Sequence, residues 1–305
     1  MIEATVSTNA RADLDRLARL ADSALRIEAQ LTPKPGLVDH RNRGAHGDMD
    51  LHTLIRSADA LAPWWGVFGE CGLVHGGETD DDFLARLRGV GISAEESMFE
   101  ATGGVNTHKG AVFAFGLLIG CAGRRLRLGR TVDISVCDDV GDLARSLLVD
   151  DLLTNDALPA TAGERLFRDH GLTGARGQAA AGYATARGVG LVAYREAMEI
   201  LAVQPHLALG PMMRDRALLH ALLAMLAVNT DTNLAKRGGV EAMARVARRA
   251  EELLRQGGAL HPSYRSLMEH FDDELTAAGL SPGGTADLLA VTIWLSSLPS
   301  EPVRP

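Results

Sequence analysis

The stretch STNARADLDRLARLADSALRIEAQLTPKPG, residues 7–36, decides the fold. Leu14, Leu17, Ala21, Ala24, Leu25 and Leu31 fall near one face of a 3.6-residue period, with Ser7 or Thr8 placed to cap the start. The pattern stops at Thr32-Pro-Lys-Pro-Gly36, where two prolines and a glycine forbid a further turn. The same period recurs down the chain. Asp48 or Asp50 can cap a helix through Leu54, Ala58 and Leu61. Phe83, Leu84, Leu87, Ala94, Met98 and Ala101 predict one helix, or two broken near Gly89 and Gly91. Further helices are predicted at about 109–123, 139–153, 176–203, 213–228, 239–256, 263–278 and 284–297. Only Thr131–Cys137 alternates like a strand, and one short run makes no sheet, so it reads as a loop leading into a helix. The expectation is a single compact all-α domain of roughly ten helices over residues 1–305, with function on the polar loops between them.

Composition narrows the function. Apolar residues at 46% and charged residues at 23% describe an ordinary soluble globular chain. The net charge of −8 argues against a general nucleic-acid binder, which needs a basic footprint. Cys71, Cys121 and Cys137 have neither CxxC spacing nor an even count, so a disulfide framework or structural zinc is not expected and a reducing cytoplasm fits. The first twenty residues lack the continuous apolar run of a secretory signal. The apolar runs Ala111–Ala122 and Leu218–Val228 are too short to span a bilayer, so no membrane role is expected.

Five loops carry the chemistry. Thr102-Gly-Gly-Val-Asn-Thr-His-Lys-Gly110 runs straight into an apolar helix, and a glycine-rich helix start suits an anion such as phosphate. It is not a P-loop, because Lys109 follows His108 and is followed by Gly110. Thr32–Asp50 holds Lys34, Asp39, His40, Arg41, Arg43, His46 and Asp48. Thr161–Gln178 includes Gly174-Ala-Arg-Gly177, Asn229–Gly239 mixes carboxylate, amide and two cations, and Ser281-Pro-Gly-Gly-Thr-Ala-Asp287 closes the set. Several cation-bearing glycine loops in one chain point to a polyanionic ligand. Asn229, Asp231 and Asn233 alternate like a calcium loop, but Leu234 and Val240 replace its turn glycine and distal Glu, so an EF-hand is rejected. The spacing of His40 and His46 is no zinc pattern. Trp64 and Trp65 read as core, and the arginines between 124 and 130 as cations at a helix end.

Taken in order, Leu31-Thr-Pro-Lys-Pro-Gly-Leu-Val-Asp39, Ala101–Gly110, Gly174–Gly177, Asp231-Thr-Asn-Leu234 with Arg237-Gly-Gly239, and Ser281–Leu288 resemble the triphosphoribosyl-dephospho-CoA synthases over about residues 10–295. The resemblance implies a helical fold and an enzyme that transfers the 5-triphosphoribosyl group of ATP to the 2′-hydroxyl of 3′-dephospho-CoA, releasing adenine. It also implies Mg²⁺ with the ATP. The product would pass to a separate transferase that loads the acyl-carrier subunit of malonate decarboxylase or citrate lyase. The Ala- and Arg-rich composition leans towards the former. Two positions depart from the family pattern. Ala162 stands where a polar residue is usual, and Gln178 stands where Glu is expected and cannot take a proton near neutral pH.

That chemistry needs a grip on the triphosphate, a carboxylate near an oxocarbenium-like C1′, and a base for the attacking hydroxyl. For the triphosphate the candidates are Lys34, Gly103, Gly104, Asn106, Thr107, His108, Lys109, Arg176 and Arg237. Asp39, Asp231 and His108 are the candidate proton-transfer residues, and Asp39, Asp231 and Glu95 the candidate Mg²⁺ ligands. The same residues would also serve a hydrolase of a nucleotide N-glycosidic bond, or a nucleotide-binding regulator without turnover.

Overall fold

A computed structural model describes residues 8–148, 162–203 and 211–300. Twelve α-helices and no strand occur among the described residues. The helices are α1 (Thr8–Gln30), α2 (Leu51–His75), α3 (Asp80–Thr102), α4 (Lys109–Arg127), α5 (Val136–Leu148), α6 (Ala162–His170), α7 (Gly174–Ala180), α8 (Leu191–Ala202), α9 (Pro211–Val228), α10 (Thr232–Arg255), α11 (Tyr264–Ala277) and α12 (Gly283–Ser296). The all-α expectation holds, and the strand-like window is indeed a loop that leads into α5.

Helix α2 starts at Asp50, whose carboxylate accepts from Thr53 N–H at 2.9 Å, as the capping residue types require. It lies backbone to backbone on α4. A Cβ at Gly72 would stand 2.0 Å from the Gly120 carbonyl oxygen, and one at Gly123 would stand 2.1 Å from that of Gly69. Only glycine permits that approach. Trp65 on α2, Phe115 on α4 and Trp294 on α12 then chain ring to ring, at 5.5 and 6.3 Å between centroids. From Leu288 to Leu295 every residue of α12 is buried, so it is the central helix, and Trp294 Nε1 donates to Leu17 O of α1 at 3.2 Å.

Of the two alternatives for residues 83–101 the single helix is found: α3 runs unbroken through Gly89 and Gly91. The expected helix over 176–203 is instead α7, a π-helical turn at Thr185–Gly190, and α8. The break is at Gly182 and Tyr183, both at positive φ (59° and 53°). Tyr183 is the one non-glycine residue in that region among the described residues, and such strain is retained where the surroundings fix it, often at a functional site. The polar stretch 162–178, expected as loop, is mostly α6 and α7.

The arginines in the last turn of α4 do more than offset their own helix. Arg124 donates to Gly76 O and Arg127 to Leu73 O, which satisfies carbonyls at the end of α2. Arg125 is buried against Asp133 and Asp139. All three cysteines are buried and unbridged. Among the described residues no helix is long and apolar enough to cross a membrane.

Candidate active site

Helices α4, α10 and α12 begin at one cavity of about 360 Å³, and α7 starts there too. Their first turns contribute Lys109 and Gly110, Thr232 and Asn233, and Gly283 and Gly284 to its wall. Converging helix starts set N–H groups and positive dipole ends around the space.

Two carboxylates staple these starts together. Asp231 Oδ1 accepts from Asn233 N and Leu234 N at 2.9 and 3.3 Å and so caps α10. Its Oδ2 accepts from Thr285 N and Oγ1 at 2.7 and 2.8 Å, in the first turn of α12. Asp287, on α12, accepts a backbone hydrogen bond from Ala111 in the first turn of α4. A carboxylate at a helix start normally gains acidity. Here burial wins: it raises Asp231, and together with the charges of Glu28 and Asp231 it raises Asp287 well above the usual carboxylate range.

Five buried side-chain polar atoms lack a partner among the described residues, and three of them, His108 Nε2, Gln178 Oε1 and Tyr183 Oη, belong to residues that line this cavity. Such atoms are rare, and each calls for an explanation. The His108 ring is set by its other nitrogen. Thr107 Oγ1 donates to Ser57 Oγ at 2.7 Å, and Ser57 Oγ lies 2.7 Å from His108 Nδ1. Ser57 Oγ keeps its proton and a second lone pair for Nδ1, and the ring proton sits on Nε2 when Ser57 is the donor. Burial, aided by the Lys34 charge, pushes the imidazole down to about 3, so it is neutral at pH 7. In that tautomer His108 carries a neutral N–H at its unpartnered nitrogen.

Gln178 Nε2 donates to Thr185 Oγ1 at 3.0 Å and Asn229 Oδ1 at 3.1 Å, which leaves Oε1 as an acceptor. Asn229 Nδ2 then donates to Thr285 Oγ1 at 2.9 Å, which in turn donates to Asp231. A one-way hydrogen-bond chain thus runs from Gln178 to a buried carboxylate. Glutamine supplies the amide N–H at its head that a carboxylate lacks. Burial raises the Tyr183 hydroxyl as well, so it stays protonated.

The cations differ in how they are held. Lys34 Nζ, 1% exposed, donates to Glu28 Oε1 and to the Glu28 carbonyl, both at 2.6 Å. Lys109 pairs with Glu95 at 2.6 Å. Arg237 donates to Ala45 O at 3.0 Å and Gly279 O at 3.3 Å, with His46 Nδ1 3.3 Å from Nη2. It is the cavity-lining cation without a carboxylate partner among the described residues. Burial, then the Arg237 charge, lowers the His46 pKa.

Of the residues expected from sequence, Lys34, Asn106, Thr107, His108, Lys109, Asp231 and Arg237 meet at this cavity. Others stand elsewhere. Asp39, expected as base or metal ligand, is outside the wall: it accepts from Thr32 Oγ1, Lys34 N, Arg41 N and Asn42 N, and so folds its own loop. Gly103 and Gly104 close the end of α3, where their N–H groups bond Glu100 O and Phe99 O. Glu95 and Arg176 line a second, adjoining cavity. Asp39, Asp231 and Glu95 are not brought together as a ligand set. Sequence reading passed over Glu28, Asp287, Tyr183 and Asn229. Asp287 ends a glycine loop already singled out, whereas Glu28 looked like any helical glutamate.

The ATP:dephospho-CoA triphosphoribosyl transferase family (CitG) matches residues 14–304. A probable 2-(5″-triphosphoribosyl)-3′-dephosphocoenzyme-A synthase 1 of Salmonella choleraesuis is 43% identical over 287 residues, 94% of this chain and 92% of the relative. A probable synthase of the same name from Albidiferax ferrireducens is 44% identical over 285 residues, covering 93% and 91%. The 2-(5″-triphosphoribosyl)-3′-dephosphocoenzyme-A synthase of Klebsiella pneumoniae is 41% identical over 292 residues, covering 95% and 93%. No solved structure matches the chain.

Proposed function

Because the chain belongs to the ATP:dephospho-CoA triphosphoribosyl transferase family, we propose that the cavity at the starts of α4, α10 and α12 is where its ATP is held and its transfer chemistry occurs. The observation that carries this reading is that three residues with an orphaned polar atom, His108, Gln178 and Tyr183, line one cavity.

The transfer forms a bond from the acceptor's 2′-oxygen to C1′ of ATP and breaks the bond from C1′ to adenine, which leaves with a proton that balances the one the 2′-hydroxyl gives up. Arg237, Lys109 and the α4 start hold the triphosphate, since a polyanion needs cations and N–H donors. Asp287 takes the proton of the 2′-hydroxyl, because a carboxylate whose pKa is raised holds a proton more firmly than an ordinary one. The buried carboxylate of Asp231 favours positive charge at C1′. His108 donates from Nε2 to an acceptor atom of ATP, Tyr183 supplies a second hydroxyl donor, and Gln178 Oε1 accepts from a substrate hydroxyl or amino group. Asp39 and Gly103–Gly104 position the loops that carry Lys34 and His108.

The donors fit a Mg²⁺ that arrives on the triphosphate. Asp231 is saturated by protein N–H and O–H groups, Glu28 is committed to Lys34 and Asp287 is kept for the proton, so the ion would be held chiefly through the phosphates. So bound, the ion would neutralise phosphate charge, with most of its ligands supplied by phosphate and water. The setting we infer is cytoplasmic, with the product passed to a separate transferase for an acyl-carrier subunit, that of malonate decarboxylase before that of citrate lyase.

The test is incubation with ATP, Mg²⁺ and 3′-dephospho-CoA, following adenine and conjugate by mass-resolved chromatography. Adenine and conjugate together, only with both substrates, support the reading. Adenine without dephospho-CoA makes the protein a hydrolase, and ATP binding with no adenine makes it a regulator.

A further inference from the structure

We propose that the second cavity, between α3 and α4, holds the long neutral arm of the CoA-type acceptor, while the nucleotide half of the acceptor enters the polar cavity. This rests on the function proposed above and extends it to the acceptor's binding path.

The second cavity measures about 530 Å³. It shares Lys109, Gly110, Phe113 and Ala175 with the polar cavity, so one wall divides two adjoining chambers. Its lining mixes apolar side chains, Phe68, Leu84, Leu87, Val112 and Leu117, with the charged Arg88, Glu95, Glu164 and Arg176. Ile92, also in its lining, is 53% exposed. The Lys109–Glu95 ion pair stands where the chambers meet.

The two substrates differ in a way that matches. Apart from its adenine ring, ATP is polar or charged throughout. Dephospho-CoA joins a nucleotide diphosphate to an arm of a gem-dimethyl group, two amides and a thiol. An arm that alternates apolar groups with amides suits an adjoining wall that mixes apolar and charged side chains.

Gly91 on α3 provides the probe. A Cβ there meets nothing nearer than Phe68 Cζ at 3.9 Å, so a larger side chain enters the cavity without collision. Leucine also favours a helix interior over glycine, which protects the fold. In Gly91→Leu, KM for dephospho-CoA should rise by about ten-fold or more while KM for ATP stays within about two-fold. ADP, which carries the ribose but no arm, should be a poor acceptor, and equally poor with both proteins. Direct titration of dephospho-CoA into wild type and Gly91→Leu reads the same effect without turnover, as about ten-fold weaker binding. If wild type forms no conjugate, the proposed function falls; the titration still decides the arm's place. Unchanged dephospho-CoA binding by a folded Gly91→Leu protein overturns the inference, as does a rise in KM for ATP alone or no binding of dephospho-CoA to wild type.

Discussion

The carboxylate of Asp287 occupies the place where a side chain at Gly110 would be: a Cβ on Gly110 would stand 1.9 Å from Asp287 Oδ2. The missing side chain lets α12 deliver a carboxylate to the first turn of α4, against the N–H of Ala111. Alanine is the better helix former, so Gly110→Ala should fold. It should displace Asp287 and lower kcat by about 100-fold. Circular dichroism and thermal unfolding beside the kinetics separate this from misfolding; wild-type kcat in the variant would remove Asp287 from the chemistry.

His108 distinguishes a donor from a base. Glutamine can place an N–H near the position of Nε2 but cannot take up a proton. His108→Gln should stay within about ten-fold of wild-type kcat/KM, whereas His108→Ala should lose about 100-fold or more, the scale for removing one preorganised donor. Equal loss in both variants would point to proton transfer by the imidazole.

The same residue sets an acid limit on stability. Unfolded, His108 titrates near 6.5; folded, it is depressed to about 3. Its contribution is therefore complete above about pH 6.5 and is lost as pH falls towards 3. Asp231 and Asp287, raised in the fold, act in the opposite sense and strengthen it as pH falls through their folded values. Urea unfolding should show wild type losing about 2 kcal/mol more than His108→Gln between pH 7 and pH 5. Parallel losses would mean the imidazole is not held neutral.

Arg237 is held by carbonyls and His46 rather than by a carboxylate, so its charge is available to a ligand. Arg237→Ala should raise KM for ATP by about ten-fold or more, the scale of a lost charge-assisted contact, with little change for the acceptor. Steady-state kinetics with each substrate varied will show it; an unchanged KM for ATP would leave Arg237 as a tie between loops.

Glu28 and Lys34 are an ion pair sealed at the cavity wall, with side chains 7% and 1% exposed. Lys34→Met leaves a buried carboxylate alone and should cost about 3–5 kcal/mol. The double variant with Glu28→Gln removes that orphan charge and should recover most of the loss. Denaturant unfolding of the single and double variants checks this, and additive losses would contradict it.

The sequence made the helices legible because their apolar spacing is regular, and Asp50 and Asp231 cap helices as their residue types lead one to expect. The break at Tyr183 was hidden, since the apolar period continues on both sides and only tertiary packing holds a tyrosine at positive φ. Glycine loops located the cavity but not the division of labour within it. Most polar groups of Thr32–Asp50 serve the loop itself: Asp272 of α11 accepts from Gly36 N, Arg41 and Asn42. Whether a charge faces a ligand or a neighbour depends on long-range partners that local spacing does not encode. Asp287 owes its place to α12 starting against the start of α4, which the local sequence does not encode.

Single-turnover formation of adenine and conjugate by Asp287→Asn, with ATP binding measured on the same protein, tests the site most directly. Asparagine keeps an acceptor for Ala111 N–H but cannot take the proton. The expected result is ATP binding within about three-fold of wild type and conjugate formation slowed by about 100-fold or more. Conjugate formed at the wild-type rate would show that the transfer chemistry lies outside this cavity.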